Sequence, residues 1–484
     1  MNFILERLRN PVNNLLLDIR FWILLFFIIR LHGITRPPLE FAHNWRQTTV
    51  CMVARNFLEI DANIFYPRLD IAGEKTGITG MEFPIFNYLI YTVSKIFGYE
   101  HWYGRLINLI VSSFGIWFFF KLIQKYFNLE IAKYATFILL FSIWFSYSRK
   151  IMPDTFSMSF IIAALYYGTN YFENSSKNIN LFIYFILGSI GILSKLSSAY
   201  LLSIFILLIL NNQHSIRTKF NFILTSILML IFPAIWYFYW VPHLVQSYGF
   251  WHFFMGKPLV EGFNEIILYW SDSLKKFYSS GIKYIAFVFF ILGILQAIYD
   301  KNKTYLCVLA ISFCSFFIIM CKSGWTFAHH EYYIIPFVPV MCLLAAYGLS
   351  LIKNNLYIYL ILIIIGFEGF INQKHDFRIK ENFAKLENLE NSLDSFSIKS
   401  ELIMINSGLF PTPMYFAHRK GWVETNEKIM EKEYLEAAIK LGLKYVVILK
   451  RALGTEIKLD YPCVFNNEDY AIYRVANSIS GNTN

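Results

Sequence analysis

The chain has 484 residues, of which 56% are hydrophobic and only 16% charged, and its mean hydropathy is +0.45. A soluble protein carries about 25% charged residues, so this composition excludes an ordinary globular enzyme and points to a membrane protein. The net charge of +10 lies wholly before residue 374, since basic and acidic residues balance after it. It reads as loop charge facing anionic headgroups and not as a nucleic-acid surface.

In chain order, Arg7, Arg9 and Arg20 precede an apolar stretch from Phe21, and Arg30, His32 and Arg36 follow where a cleavage site would need small residues. The segment is expected to stay as a first anchor, spanning about 15–34. Further spans are expected near 103–126, 131–148, 154–172, 179–195, 197–211, 219–241, 283–300, 304–321, 332–352 and 355–372, about eleven in all by the length a bilayer requires. Continuous runs such as Leu201–Leu210 exclude a β-barrel, which would alternate. Two stretches in the first long loop, Trp45 to Ile60 and Pro84 to Gly98, show helical apolar spacing and are expected to lie in the interface as juxtamembrane helices. The loop at 242–282 is rich in aromatic rings, Phe253 and Phe254 among them, which favour the headgroup level.

Basic residues at 121, 125 and 133, at 177, at 217 and 219, at 301 and 303, and at 353 fall on one side of an alternating path, which assigns that side to the cytoplasm. Residues 35–102, 149–154, 195–197, 242–282 and 322–331 then face outward, as does everything after 372. The expected domains are a transmembrane part, 1–372, and a soluble tail, 373–484. In the tail, Glu401–Asn406, Tyr445–Leu449 and Asp469–Val475 read as strands and Tyr434–Leu441 as a helix, which implies a small α/β domain outside the cytoplasm. No glycine-rich nucleotide cradle occurs, and the six cysteines form no disulfide framework and no Cys-x-x-Cys pair.

Polar side chains gather at the outward span ends. Glu40, His43 and Arg46 lie in the first outer loop, and the three-residue step from His43 to Arg46 would put both on one helical face. Glu82 precedes the second amphipathic stretch. Arg149 and Asp154 flank a span that starts at Pro153, Lys195 ends another, and His329, His330, Tyr332 and Tyr333 open a late one. Carboxylates and imidazoles can take a proton from a hydroxyl, and guanidinium and ammonium groups can hold a phosphate. Each residue also has a plain structural use: a helix cap, a snorkelling cation or a ring at the headgroup level. Adjacent histidines give no metal-ligand spacing, so a divalent metal is not required by the sequence.

The order of these motifs resembles the C-type integral membrane glycosyltransferases, in particular the protein-mannosyltransferase-like group (family 39) that includes the lipid A aminoarabinose transferase type. The resemblance covers about residues 20–350. It rests on Glu82-Phe-Pro84, Phe97-Gly98, Arg105, Tyr147-Ser-Arg149 with Pro153-Asp154, Ser194-Lys195, and His330 with Tyr332 and Tyr333. It implies a polyprenyl-phosphate sugar donor, a lipid, glycan or protein acceptor outside the cytoplasm, inversion at the anomeric carbon, and residence in the plasma (inner) membrane. On this reading Asp154, Glu82, His43 and Glu40 are the candidate catalytic groups, with Asp154 and Glu82 favoured as base. Arg46, Arg149, Lys195 and Arg105 are candidates for the donor phosphate, and His329, His330, Tyr332 and Tyr333 for substrate contact. Where many relatives carry Asp, this chain has His43-Asn44. Two rival functions are a lipid-linked glycan flippase or transporter and an oligosaccharide ligase or polymerase. The first would favour charges deep within spans and paired repeats.

Overall fold

The structure is a computed structural model that describes residues 18–252, 256–453 and 457–476. Arg7, Arg9, the start of the first expected span, and Phe253 and Phe254 lie outside the described residues. The chain is mostly helical. It divides into two compact units that interleave along the sequence. Among the described residues the first comprises 18–34, 105–237 and 256–374, and the second 35–104, 238–252, 375–453 and 457–476.

The first unit is a helical assembly. Among the described residues, four helices are long and apolar enough to cross a membrane: Tyr103–Tyr126, Ile216–Tyr248, Lys303–Ser323 and Asn355–Phe377. A fifth candidate is the pair Trp270–Gly281 and Tyr284–Tyr299, bent by 105°. Shorter apolar helices, Asn178–Ser194, Leu196–Leu210 and Val338–Leu349, accompany them. Small residues let the helices approach closely. A Cβ on Gly293 would lie 2.0 Å from the Leu344 carbonyl oxygen, and one on Gly348 would lie 2.1 Å from that of Phe289. The helix Ile19–Leu31 is capped by Asp18, which accepts from the Arg20 N–H at 2.9 Å. It packs through Phe26 against Phe141, with ring centroids 4.6 Å apart.

Broken helices expose backbone groups, and polar side chains answer them. After Leu129–Phe141 the chain turns, and Gln373 donates to the Phe141 carbonyl at 3.0 Å while accepting from the Ser146 N–H at 3.2 Å. In Ile216–Ile235, Pro233 removes one helical donor, and a π-turn follows at Trp236–Trp240.

The second unit is built on a five-stranded sheet in the order β2-β1-β3-β5-β4. β1 is Leu402–Ile405, β2 Lys420–Val423, β3 Leu443–Leu449, β4 Cys463–Asn466 and β5 Tyr470–Arg474. β1 pairs parallel with β2 and β3, while β5 runs antiparallel to β3 and β4. β2 and β4 are short, mixed in character and carry no clear alternation, so the sequence pattern leaves them unassigned. The edge strand β2 is covered by residues 70–73: the Gly421 N–H donates to the Asp70 carbonyl at 2.9 Å, and the Gly73 N–H to the Gly421 carbonyl at 2.7 Å.

The two amphipathic stretches form helices Asn44–Glu59 and Ile85–Phe97. The second fits an interfacial helix, with Leu89, Ile96 and Phe97 exposed and Phe86, Ile90 and Tyr91 buried. The first departs from that expectation, for every residue from Gln47 to Phe57 is buried. Its polar side chains are used inside the unit. Arg55 pairs with Asp70 at 2.9 Å and donates to the Tyr415 carbonyl at 3.1 Å, and Asn56 donates to Asp70 at 2.8 Å. A helix enclosed on all sides has no face left for a bilayer surface.

His418, in a left-handed backbone conformation (φ 48°), lies between two carboxylates, 2.6 Å from Glu390 and 2.9 Å from Glu59. Burial pulls its pKa down, but the hydrogen bonds to Glu390 and Glu59 outweigh this and hold it above the ordinary value. Burial pushes Glu390 up, yet His418 and Lys399 together hold it down to about 2. Lys399, Arg55, Asp394 and Arg419 complete the charged surroundings. A raised histidine contributes stability fully below its unfolded pKa of about 6.5 and loses it as pH rises through the folded value. The Glu390 contribution is present above its unfolded value and is lost as pH falls toward about 2. The thermal midpoint of the full chain in detergent should therefore fall by about 1–2 °C as pH is raised above neutrality. His418→Gln should flatten that limb. An unchanged slope in the variant would assign the effect elsewhere.

Candidate functional site

In the first unit the site starts at a helix N-terminus. Met152, extended, is the N-cap of Pro153–Glu173, and Pro153 occupies the first turn, where its missing N–H costs nothing. Asp154 therefore sits inside the first turn and is not the cap. Its side chain is 2% exposed, and one oxygen, Oδ1, accepts from the Lys195 ammonium. The other oxygen, Oδ2, is buried and has no hydrogen-bond partner among the described residues.

Lys195 is delivered by the C-terminus of Asn178–Ser194, where its own backbone is extended. That helix is locked on Pro153–Glu173: the Ser157 hydroxyl lies 2.7 Å from the Gly191 carbonyl, and a Cβ on Gly191 would meet Ile161 at 2.7 Å. The Lys195 ammonium also stands 4.8 Å from the Tyr332 ring centre and 5.6 Å from that of Tyr333. His330 stacks on Tyr332, with centroids 5.6 Å apart. Burial, and then Lys276, His329 and Lys195, hold His330 below the ordinary histidine pKa, so it is neutral at pH 7. His329 turns elsewhere, donating from Nδ1 to the Trp325 carbonyl at 2.8 Å and stacking on Trp325 at 4.1 Å.

Arg149 and Arg105 are both buried, and both guanidinium groups reach backbone. Arg149 donates to the carbonyls of His32 at 2.6 Å, Gly33 at 3.1 Å and Arg30 at 3.3 Å. Arg105 donates to the carbonyl of Ile34 at 3.0 Å. These carbonyls belong to the turn that ends Ile19–Leu31, where a cation is favoured by the helix dipole. The sequence pattern offers these arginines for a phosphate, and these hydrogen bonds also give them a hold on a helix end.

Sequence reasoning missed Asn108. Its amide donates to the carbonyls of Lys150 at 2.8 Å, Tyr147 at 3.0 Å and Met152 at 3.3 Å, while its oxygen accepts from Thr155 at 3.0 Å. It therefore shapes the loop between Arg149 and Asp154. The available signal was an amide one turn after Arg105 in a largely apolar helix.

In the second unit Arg46 forms an ion pair with Glu82, their side chains 12% and 11% exposed. Burial and the Arg46 charge push His252 down to about 4, against the pull of Glu82. His252 is a further residue that sequence reasoning passed over, within the aromatic run Phe250-Trp251-His252. Glu40 is buried and bridges by its backbone to Ile379. His43 does not share a helical face with Arg46 as expected. It precedes the helix Asn44–Glu59 in a left-handed conformation (φ 59°) and lines a cavity with Trp45 and residues of the tail. Among the described residues no three His, Cys, Asp or Glu side chains gather as a metal site would need.

Residues 82–238 match the family described as dolichyl-phosphate-mannose-protein mannosyltransferase. The matched segment begins at Glu82 and contains Arg105, Arg149, Asp154 and Lys195. Among curated proteins no sequence matches the chain. ArnT from Cupriavidus metallidurans in the apo state is similar in fold, with a TM-score of 0.60 and 12% identity over 93% of this chain and 97% of that one. The oligosaccharyltransferase of Archaeoglobus fulgidus in the apo form gives 0.55 and 12% over 88% and 69%. The arabinofuranosyltransferase AftD from Mycobacteria gives 0.56 and 10% over 95% of this chain and 40% of that one. The chain thus shares its fold with these three transferase structures. The protein-mannosyltransferase pattern is carried by residues 82–238, about a third of the chain.

Asn108 is a positioning residue by this geometry. Asn108→Leu keeps the volume but leaves three loop carbonyls without their donor. A loss of activity of about tenfold or more is expected, with a lowered kcat and little change in donor KM. Asn108→Asp, which keeps the acceptor only, should not rescue it. Full activity in Asn108→Leu would show that the loop holds itself.

Proposed function

We propose that the protein transfers a sugar from a polyprenyl phosphate to a lipid, glycan or protein acceptor outside the cytoplasm. The observation that carries this reading is the Asp154 carboxylate, buried, held by Lys195 on one oxygen and without a hydrogen-bond partner among the described residues on the other. Crystal structures of the similar ArnT include one bound to undecaprenyl phosphate, which supports a lipid-phosphate donor here. In the proposed reaction this second oxygen of Asp154 takes the proton of the acceptor hydroxyl. The hydroxyl oxygen attacks the anomeric carbon from the face opposite the phosphate, forming the new glycosidic bond. The bond from the anomeric carbon to the phosphate oxygen breaks, its electron pair leaves with the phosphate, and the configuration inverts.

The Lys195 ammonium has three donors and spends one on Asp154, so it has donors left for the departing phosphate. Tyr332 and Tyr333 confine the ammonium, and neutral His330 beside them is suited to accept or donate a hydrogen bond from the sugar. Arg149 and Arg105 act through the backbone they hold. Glu82, paired with Arg46, is the second candidate base, with Glu40 and His43 in the same unit. A flippase would move the donor without breaking this bond, and a ligase would prefer a polymer-linked donor.

Asp154→Asn should lower transfer from a monosaccharyl polyprenyl phosphate by about 100-fold or more. Because it also leaves Lys195 without its charge partner, the double change Asp154→Asn with Lys195→Met serves as a second variant. It should restore the thermal midpoint and leave transfer abolished. Transfer at the wild-type rate in Asp154→Asn would remove Asp154 as base and turn attention to Glu82.

The proposed topology has about eleven spans with the tail from 373 outside the cytoplasm, by the loop-charge bias. Cys463, in β4, is exposed. In a variant that keeps Cys463 as its sole cysteine, a membrane-impermeant maleimide should label intact spheroplasts. Labelling only after lysis would invert the orientation.

A further inference from the structure

The second unit contains a cavity of about 300 Å³ between the start of the helix Asn44–Glu59 and the tail. Such a volume lies at the small end of ligand pockets and suits a single ring better than an extended chain. Its walls combine two chemistries. The rings of Phe41, Trp45 and Phe410 line it, and Phe41 and Phe410 are 50% and 57% exposed, although they belong to the unit with the soluble-type sheet. Large exposed aromatic rings around one concavity mark a binding surface.

Between the rings lie Asn44 and Thr412. The Thr412 hydroxyl donates to the Asn44 side-chain oxygen at 3.2 Å and lies 3.2 Å from the Thr48 hydroxyl. This fixes the amide, and the Asn44 NH2 makes no hydrogen bond among the described residues. His43 joins the wall in its left-handed backbone conformation, a strain that residues at ligand sites commonly carry.

We propose that this cavity binds one sugar ring. A pyranose presents apolar C–H faces and a rim of hydroxyls. Trp45 and Phe410 can cover a C–H face, while the Asn44 amide and the Thr412 hydroxyl meet the rim. A lipid tail has no use for the fixed amide. A phosphate would need cations, and the one lysine in the wall, Lys380, has its ammonium 4.5 Å from the Phe41 ring centre. The identification of this ring as part of the acceptor rests on the transferase reading above.

The test uses the full chain in a detergent without a sugar headgroup. Saturation-transfer NMR is recorded with glucose, galactose, mannose, N-acetylglucosamine and glucuronate in turn. At least one sugar should give a signal that falls fivefold or more in Phe410→Ala and persists in Leu409→Ala, a control at a residue 90% exposed and absent from the cavity wall. Phe410 is exposed enough for its removal to leave the fold intact. No signal from any of the sugars, or an equal signal in wild type and Phe410→Ala, would overturn the proposal. The readout needs no donor cleavage, so a protein that binds sugar here but never cleaves a polyprenyl-phosphate sugar would keep the subsite and lose the transferase reading.

Discussion

A backbone carbonyl released at a helix end, in surroundings too apolar to supply water, must find a donor inside the protein. The first unit depends on this constraint. Arg149 and Arg105 take the carbonyls of residues 30 and 32–34, Asn108 takes those of 147, 150 and 152, and Gln373 takes that of Phe141. Each of these donors is remote in sequence from the carbonyls it satisfies. The irregular loop before Pro153 is thus held as firmly as a helix, and Asp154 inherits its position from that loop.

Burying the Asp154–Lys195 pair costs desolvation that mutual attraction in such surroundings offsets only in part. A pair kept under these terms has a use beyond stability. In the proposed transfer the unmatched oxygen of Asp154 and the aromatic flank of Lys195 give it one: a base and a cation fixed side by side with little reorganisation left to make. In the second unit the Arg46–Glu82 pair is a comparable investment, and neutral His252 beside it adds a polar group without a charge. The two units solve the same electrostatic problem with different partners.

The cavity by His43 shows a different use of polar groups. There the Asn44 amide and the Thr412 hydroxyl, bonded to each other, stand beside exposed rings, the composition that the proposed sugar subsite uses.

Helical membrane character, the polar span ends, the strands Leu402–Ile405, Leu443–Leu449 and Tyr470–Arg474 and the two helices of the first outer loop were legible in the sequence, because hydropathy and periodicity are local properties. Asp154, Lys195 and the tyrosines stood out for the same reason: a polar residue among apolar ones is visible without a partner. What each residue faces is not local. The burial of Gln47–Phe57 on every side, the use of Arg149 and Arg105 on backbone, the bracing by Asn108 and the interleaving of residues 35–104 with the tail were decided by the tertiary structure alone. A side chain's spacing fixes the direction in which it leaves its own helix, while the group it meets belongs to a segment tens or hundreds of residues away.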